Sequence, residues 1–465
     1  MHSLHLITPL LLSVAHGFPG RFGKRHSIAN LDSRDEFISF SRFLNQASAA
    51  TYKDYANTAI RDADAFAELK AHIKEMYGGV LDPSSIASYI LDGEYVDCIP
   101  FVQQPTIHVL KLTPAQLLPP EDIQTPNLTV PDGEPQYALP GPLPGSTDTF
   151  GHPTECTNKT TVPIYRLSLE RLTLFPDLYT FFSNPETPLL DNSTQTQQRR
   201  DVTPGPDGVK HLFVTGRDSR TPPHHYFGAR AAINIWSPVA MFSGSQFWLT
   251  VDRPVLQTVT TGWLVRSATG TKARFTVGYR SGPTTGCYNV ECPGFIKDPA
   301  GPPVGSLFSH YSSPGASNQW EFTPLFEQSA AAWSLYYVFP NGRRQRVGYY
   351  PHTLFERTSG SLSWGADRVN FGGHVADVGK HNVFGQMGSG RHAATRFGSA
   401  AYQRAIQVYS AASGSLKTWR DGVLVPQNDD RAGCYSYKIE YLPSPWRTTF
   451  WFGGPGGKNC DQASP

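Results

Sequence analysis

The chain has 465 residues, only 17% of them charged, and a formal net charge of +2. So sparse and balanced a charge supplies no concentrated basic face, which excludes a nucleic-acid partner or an anionic membrane surface. The length allows two or three domains, or one large β domain with an added segment. Its 42 Gly and 39 Pro, beside 12% aromatic residues, favour strands joined by long loops.

An apolar run from Leu4 to Val14, ending at Ala15-His16-Gly17, reads as a secretory signal over residues 1–17. It is too short to span a bilayer. Six cysteines suit an oxidising, extracellular destination, so the expected protein is secreted. Sequons begin at Asn127, Asn158 and Asn192, in polar or Pro-rich sequence that tolerates glycans. Lys24-Arg25 is a dibasic pair.

Residues 33–90 are expected to be helical. Ser33 and Glu36 have capping-box spacing, and Phe66, Leu69, Ile73 and Met76 recur on one helical face. Asp82-Pro83 marks the start of a third, short helix. The region reads either as a small helical domain or as a prosegment that covers a cleft until removed. Residues 92–105 turn β-like, and 113–153 are Pro-rich. A polar stretch, 183–208, carries Asn192 and Arg199-Arg200, and is the expected exposed linker. The predicted organisation is therefore a signal at 1–17, an N-terminal activation-peptide region at 18–182, the linker at 183–208 and a main domain at 209–465.

From 209 onward the pattern has period two. The runs 226–236, 246–251, 274–280, 333–339, 403–409 and 447–452 alternate Tyr, Phe, Trp and Val with polar residues. The predicted class is all-β, an antiparallel two-sheet β-sandwich behind a small, mostly helical prosegment.

Several chemistries lack their signatures. There is no G-x-S-x-G elbow, no H-E-x-x-H helix and no CxxC zinc spacing. His374, His381 and His392 are seven and eleven residues apart, which fits no common ligand motif. No metal or cofactor is expected. Within GCYNVECPGF (286–295), Cys287 and Cys292 are close enough to form a tight disulfide. Cys434 with Cys460 and Cys98 with Cys156 are the next pairs, though other connectivities remain open.

These motifs resemble those of the neprosin family of secreted peptidases. DGEYVDCIPFVQQP (92–105), TVPIYR (161–166), HYFGARAAINIWSP (225–238) with Ser245-Gln246, and GCYNVEC (286–292) carry the likeness. VGYYPHTLF (347–355), SWGAD (363–367), Met387-Gly388-Ser389-Gly390 and FWFGGPGG (450–457) follow in the family order.

The resemblance implies a zymogen whose mature sandwich holds two catalytic glutamates and cleaves proline-containing peptides in acid. In such a pair, one carboxylate activates water while the other keeps its proton. The family's first glutamate stands two residues before Gly-Trp, where this chain has Thr260 before Gly262-Trp263. Its second follows Trp-Gly-Gly, where Trp364-Gly365-Ala366 is followed by Asp367. Threonine does not titrate near neutrality. Asp252, Glu321, Glu327 and Glu440 are alternative second carboxylates, each otherwise a solvated strand or loop residue.

The expected site is therefore Asp367 with Thr260, inside a groove of Trp263, Trp364, Tyr349, Tyr350, Gln246 and Gln386. The expected partner is a peptide or protein substrate, proline-rich ones included, for a monomeric endopeptidase. The alternative is a non-catalytic protein that binds peptide or glycan in the same aromatic groove.

Overall fold

A computed structural model describes residues 36–462, apart from 122–127, 132, 183–209, 219–224, 253, 267–269, 283–284, 356–359, 378–381, 412–413, 420–423 and 431. The signal, both dibasic pairs, Ser33, Asn127, Asn192, His381 and the predicted linker fall outside the described residues. Residues 38–465 form one compact unit.

Helix α1 (Phe40–Ala49) is capped by Ser39, and α2 (Ala63–Tyr77) by Asp62. The predicted face of α2 is its buried one: Phe66, Leu69, Ile73 and Met76 all pack inward. Asp82 caps a single 3₁₀ turn at Pro83–Ser85. Strands β1 (Ser88–Leu91) and β2 (Glu94–Pro100) form a hairpin through Asp92-Gly93. Both turn residues are left-handed, at φ 56° and 80°, as a type I′ turn requires.

Strand β3 (Thr161–Tyr165) pairs with β2, so two of the sequence motifs are neighbours in one small sheet. Its joints are the Cys98–Cys156 disulfide and a buried ion pair, Arg166 Nη2 to Asp97 Oδ1 at 2.6 Å. Phe43 and Tyr95 cover the guanidinium, 4.9 and 4.3 Å from its carbon.

The sandwich strands, in chain order, are β4 (Lys210–Asp218), β5 (Tyr226–Asn234), β6 (Phe242–Val251), β7 (Gln257–Arg266) and β8 (Arg274–Ser281). Then come β9 (Gly286–Tyr288), β10 (Ile296–Lys297), β11 (Pro324–Gln328), β12 (Ala332–Val338) and β13 (Arg344–Pro351). The last are β14 (Arg368–Asp377), β15 (Ala401–Ser410), β16 (Leu424–Asn428), β17 (Ser436–Tyr441) and β18 (Thr448–Gly453). One sheet runs β9-β8-β7-β6-β14-β4-β16; the main path of the other runs β10-β13-β12-β11-β5-β15-β18-β17. Every predicted period-two run is a strand. Alternation turns one side of each strand toward the facing sheet.

Phe247, Val259, Trp263, Val265, Phe275, Val277, Val369 and Phe371 supply the seven-stranded sheet's half of the shared core. Phe247 meets Phe326, and Phe275 meets Tyr337, across the gap. The Gln403 amide nitrogen reaches from β15 to Ser245 Oγ and to the carbonyls of Gln246 and Gly372, all within 3.0 Å. No helix among the described residues is long and apolar enough to cross a membrane. The predicted disulfides Cys98–Cys156, Cys287–Cys292 and Cys434–Cys460 are all present, and each joins residues on one side of 183–209.

Candidate active site on the outer face of the seven-stranded sheet

Thr260 points away from the core. Its neighbours along β7, Val259 and Thr261, point inward or to the opposite side, and its Cγ2 lies against Gly278 of β8. In register across the sheet, Thr260 stands beside Trp248 of β6, and Trp248 beside Asn370 of β14. One residue pair further along, Gly262 flanks Gln246 on one side and Gly372 on the other. Beyond these, Gly244 separates Leu264 from His374. This outer face is buried and polar. Gln246, Trp248, Asn370 and His374 are each almost fully shielded from solvent. Both amide atoms of Gln246, the Trp248 indole nitrogen, Asn370 Oδ1 and both His374 ring nitrogens lack hydrogen-bond partners. Buried polar groups ordinarily find partners, so a row of unsatisfied ones sets this face apart from the rest of the sheet.

Asp367 reaches the same face through a local irregularity. Ala366 and Val369 both pack into the core, although an unbroken strand would put residues three apart on opposite sides. The extra residue is absorbed opposite Thr250, which faces Arg368 in the register while its carbonyl accepts from Asp367 N–H at 2.9 Å. Two residues opposing one is a β-bulge, which turns Asp367 and Arg368 to the same side. Asp252, two residues beyond Thr250 and on the same side of its strand, forms an ion pair with Arg368. Burial raises the Asp367 pKa above its ordinary value; the cationic form of His225 opposes this, the negative Asp252 adds to it and Arg368 counters it. Asp252 and Asp367 are therefore two carboxyl groups close enough to influence each other's protonation.

Thr260 and Asp367 share this face but not a contact. They are two strands and one residue pair apart, about 12 Å on the spacing of a regular sheet. The Thr260 hydroxyl donates to its own sheet, to Phe247 O at 2.9 Å. Trp364, next to the bulge, is 62% exposed.

Other expectations need correction. Trp263 is no groove wall: it lies between the sheets, its indole N–H donating to Asn234 O at 2.8 Å. Tyr350 is also core, packed on Tyr279, Phe295 and Phe326. Tyr349 points the other way, where the segment at Leu118 covers it and donates to its hydroxyl at 3.0 Å. Gln386 is held by the Val239 backbone, accepting its N–H at 3.0 Å.

Glu321 is buried rather than solvated, paired with Arg404 at 2.7 Å; Glu327 pairs with Arg344, and Glu440 with Arg396 and Lys438. Of the four alternative carboxylates, Asp252 is the one beside Asp367. Asn158 is exposed, its side chain closing a local turn with Thr160.

Sequence reasoning missed Trp248, Asn370 and Arg368. Strand alternation carried the signal, since residues two apart along β6 or β14 share a face.

Among solved structures, scytalido-glutamic peptidase with a transition state analog inhibitor is similar at 10% identity and TM-score 0.28, over 53% of this chain and 99% of that one. The same peptidase with a peptide based transition state analog is similar at 11% identity and TM-score 0.29, over 52% and 98%. Apo Crh5 transglycosylase is similar at 15% identity and TM-score 0.21, over 39% and 65%. Residues 240–455, which hold the outer-face row, the bulge and the Cys287–Cys292 disulfide, match the Neprosin family. The similarity to that family covers just under half of the chain, as one Neprosin domain.

Proposed function

We propose that this protein is a secreted, neprosin-like endopeptidase, made with its N-terminal region as a prosegment, that hydrolyses proline-containing peptides with a carboxylate pair formed by Asp367 and Asp252. The family supports a peptidase-like activity. The observation that carries the reading is that Asp252, ion-paired with Arg368, stands beside Asp367 on one face of the sheet.

In mild acid, Asp367 keeps a proton to higher pH than an ordinary aspartate and protonates the leaving amide nitrogen. Asp252, ion-paired with Arg368, takes a proton from the attacking water. Gln246 and Asn370 align the peptide backbone through their unsatisfied amide groups. Trp364 offers an exposed face on which a proline ring stacks.

A second reading has its own support. Thr260 brings no acid to the family's first position, and its hydroxyl is already used by Phe247. On that reading the outer face binds peptide or glycan without cleaving it.

One experiment separates them: the secreted protein, incubated in acid with a fluorogenic proline-containing peptide beside Asp367→Asn and Asp252→Asn. Cleavage lost about a hundredfold or more in both variants supports the carboxylate pair. Equal cleavage in all three removes both residues from the mechanism. Binding without cleavage by any of them establishes the second reading.

A further inference from the structure

The outer face of the seven-stranded sheet has two ends. Asp367 and Asp252 lie at the Thr250 end; the other end, past Gly244, belongs to Arg266 and Arg274. These arginines share the outer face with Thr260 by alternation along β7 and by the register of Arg274 opposite Leu264. With Glu94, Tyr165, Arg171, Thr276 and Asn289, they line one cleft.

The two cations are not equally provided for by the sandwich. Arg266 has Glu291, at 3.0 Å. Arg274 has one bond to a sandwich residue, from Nη1 to Gly305 O at 3.0 Å, and its Nε is unpartnered. Both acids that face Arg274 come from the tip of the β1–β2 hairpin: Asp92 at 3.7 Å and Glu94 at 3.4 Å. Asp92 is further fixed by Tyr165 Oη at 2.9 Å and Leu307 N–H at 3.0 Å. Arg171, from the segment after β3, reaches Glu94 and Glu291.

The partition of charge is complementary. The sandwich contributes two arginines and one glutamate, and the N-terminal region contributes two acids and one arginine. The hairpin presents Asp-Gly-Glu as an acidic peptide tethered to the chain. An arginine this shielded is costly to leave without an anion, so the site it forms favours another carboxylate wherever the hairpin is withdrawn.

We propose that Arg274, backed by Arg266, is a subsite for an acidic side chain of a peptide ligand, occupied in this form by Asp92 and Glu94. The inference rests on the reading of the outer face as a peptide site and adds a ligand class to it. Six residues along β6, about 20 Å, and three strand spacings, about 14 Å, separate Arg274 from Asp367, about 25 Å in all, so the recognised acid stands about seven to eight residues from the bond at Asp367 in an extended ligand.

The test uses the full chain with its own tip neutralised, Asp92→Asn with Glu94→Gln. The probes are labelled peptides, acetyl-Leu-Asp-Gly-Glu-Tyr-amide and its Asn/Gln counterpart, and fluorescence anisotropy at low salt reads binding. The acidic probe is expected to bind the neutralised chain at least tenfold more tightly than the amide probe. Adding Arg274→Gln removes that difference, while the unaltered chain binds neither probe. Arg274→Lys, which keeps the charge, retains part of the preference and guards against a folding defect.

Equal binding of both probes, no binding of either, or a preference that survives Arg274→Gln would overturn the subsite. No hydrolysis is needed, so a chain that binds the acidic probe yet cleaves nothing keeps the subsite and loses the peptidase reading.

Discussion

Asp97 of β2 accepts from both Nε and Nη2 of Arg166, at 3.0 and 2.6 Å, in a setting from which water is almost wholly excluded. The pair joins the two motifs that flank the Cys98–Cys156 bridge, and three aromatic rings lie within 6 Å of its cation. Removing one member of such a pair strands the other charge in the interior. Arg166→Met is expected to destabilise the chain by about 3–5 kcal/mol, whereas replacing both members by apolar residues costs far less. Chemical denaturation of the single and double variants measures the difference.

Asp252→Asn removes a negative neighbour from Asp367 and releases Arg368 from its ion pair. Both changes favour the ionised form of Asp367, so its pKa falls toward the ordinary value. A group whose proton is needed then fails at lower pH. The alkaline limb of the pH–rate profile for residual cleavage moves toward acid, by about one pH unit. A limb that stays in place would detach Asp252 from the titration.

His374 gives the fold a pH dependence of opposite sense. Phe213 stacks on it at 5.4 Å, and Phe242 and Trp248 close the box at 4.9 and 5.5 Å. Burial, and then the neighbouring His211, hold its pKa well below the ordinary value. His211 is likewise pushed down by burial, to about 4. Below the ordinary histidine pKa of about 6.5, the unfolded chain takes up protons that the folded chain refuses, so stability is lost as pH falls toward the folded values. His374→Phe is expected to flatten melting temperature against pH between about 6.5 and 4, which a series of thermal melts reads directly.

Trp364→Ala separates recognition from folding. A side chain 62% exposed supports little of the core, so a stability change within about 0.5 kcal/mol is expected. If a proline ring stacks there, KM for proline-containing peptides rises by up to about tenfold with kcat little changed. An unchanged KM places the ligand elsewhere.

Much of this architecture is legible in the sequence because period-two alternation and helical spacing are local. The runs at 226–236 and 403–409, and the face of α2, needed no distant information. Some of the site was equally legible. Thr260 and Trp263 are three apart on one strand, so alternation alone sends them to opposite sides, and both cannot line one groove. Tyr349 and Tyr350, as neighbours, are divided by the same rule.

The bulge at Asp367 was not legible. It depends on where Ala366 meets Tyr226 of the other sheet, with reciprocal backbone bonds of 2.8 and 2.9 Å, and no local pattern encodes that crossing. The proximity of Asp252 follows from the bulge and was hidden with it.

Every sulfur bridge stays on its own side of residues 183–209. A single backbone cut between Phe182 and Lys210 therefore yields two polypeptides with no covalent tether. Before the cut, the hairpin that fills the Arg274 cleft returns to it at the high local concentration of a linked segment; afterwards its return is a bimolecular event that weakens with dilution. Release of the N-terminal piece then becomes effectively one-way on dilution into a large volume, and reducing conditions are not needed to complete it.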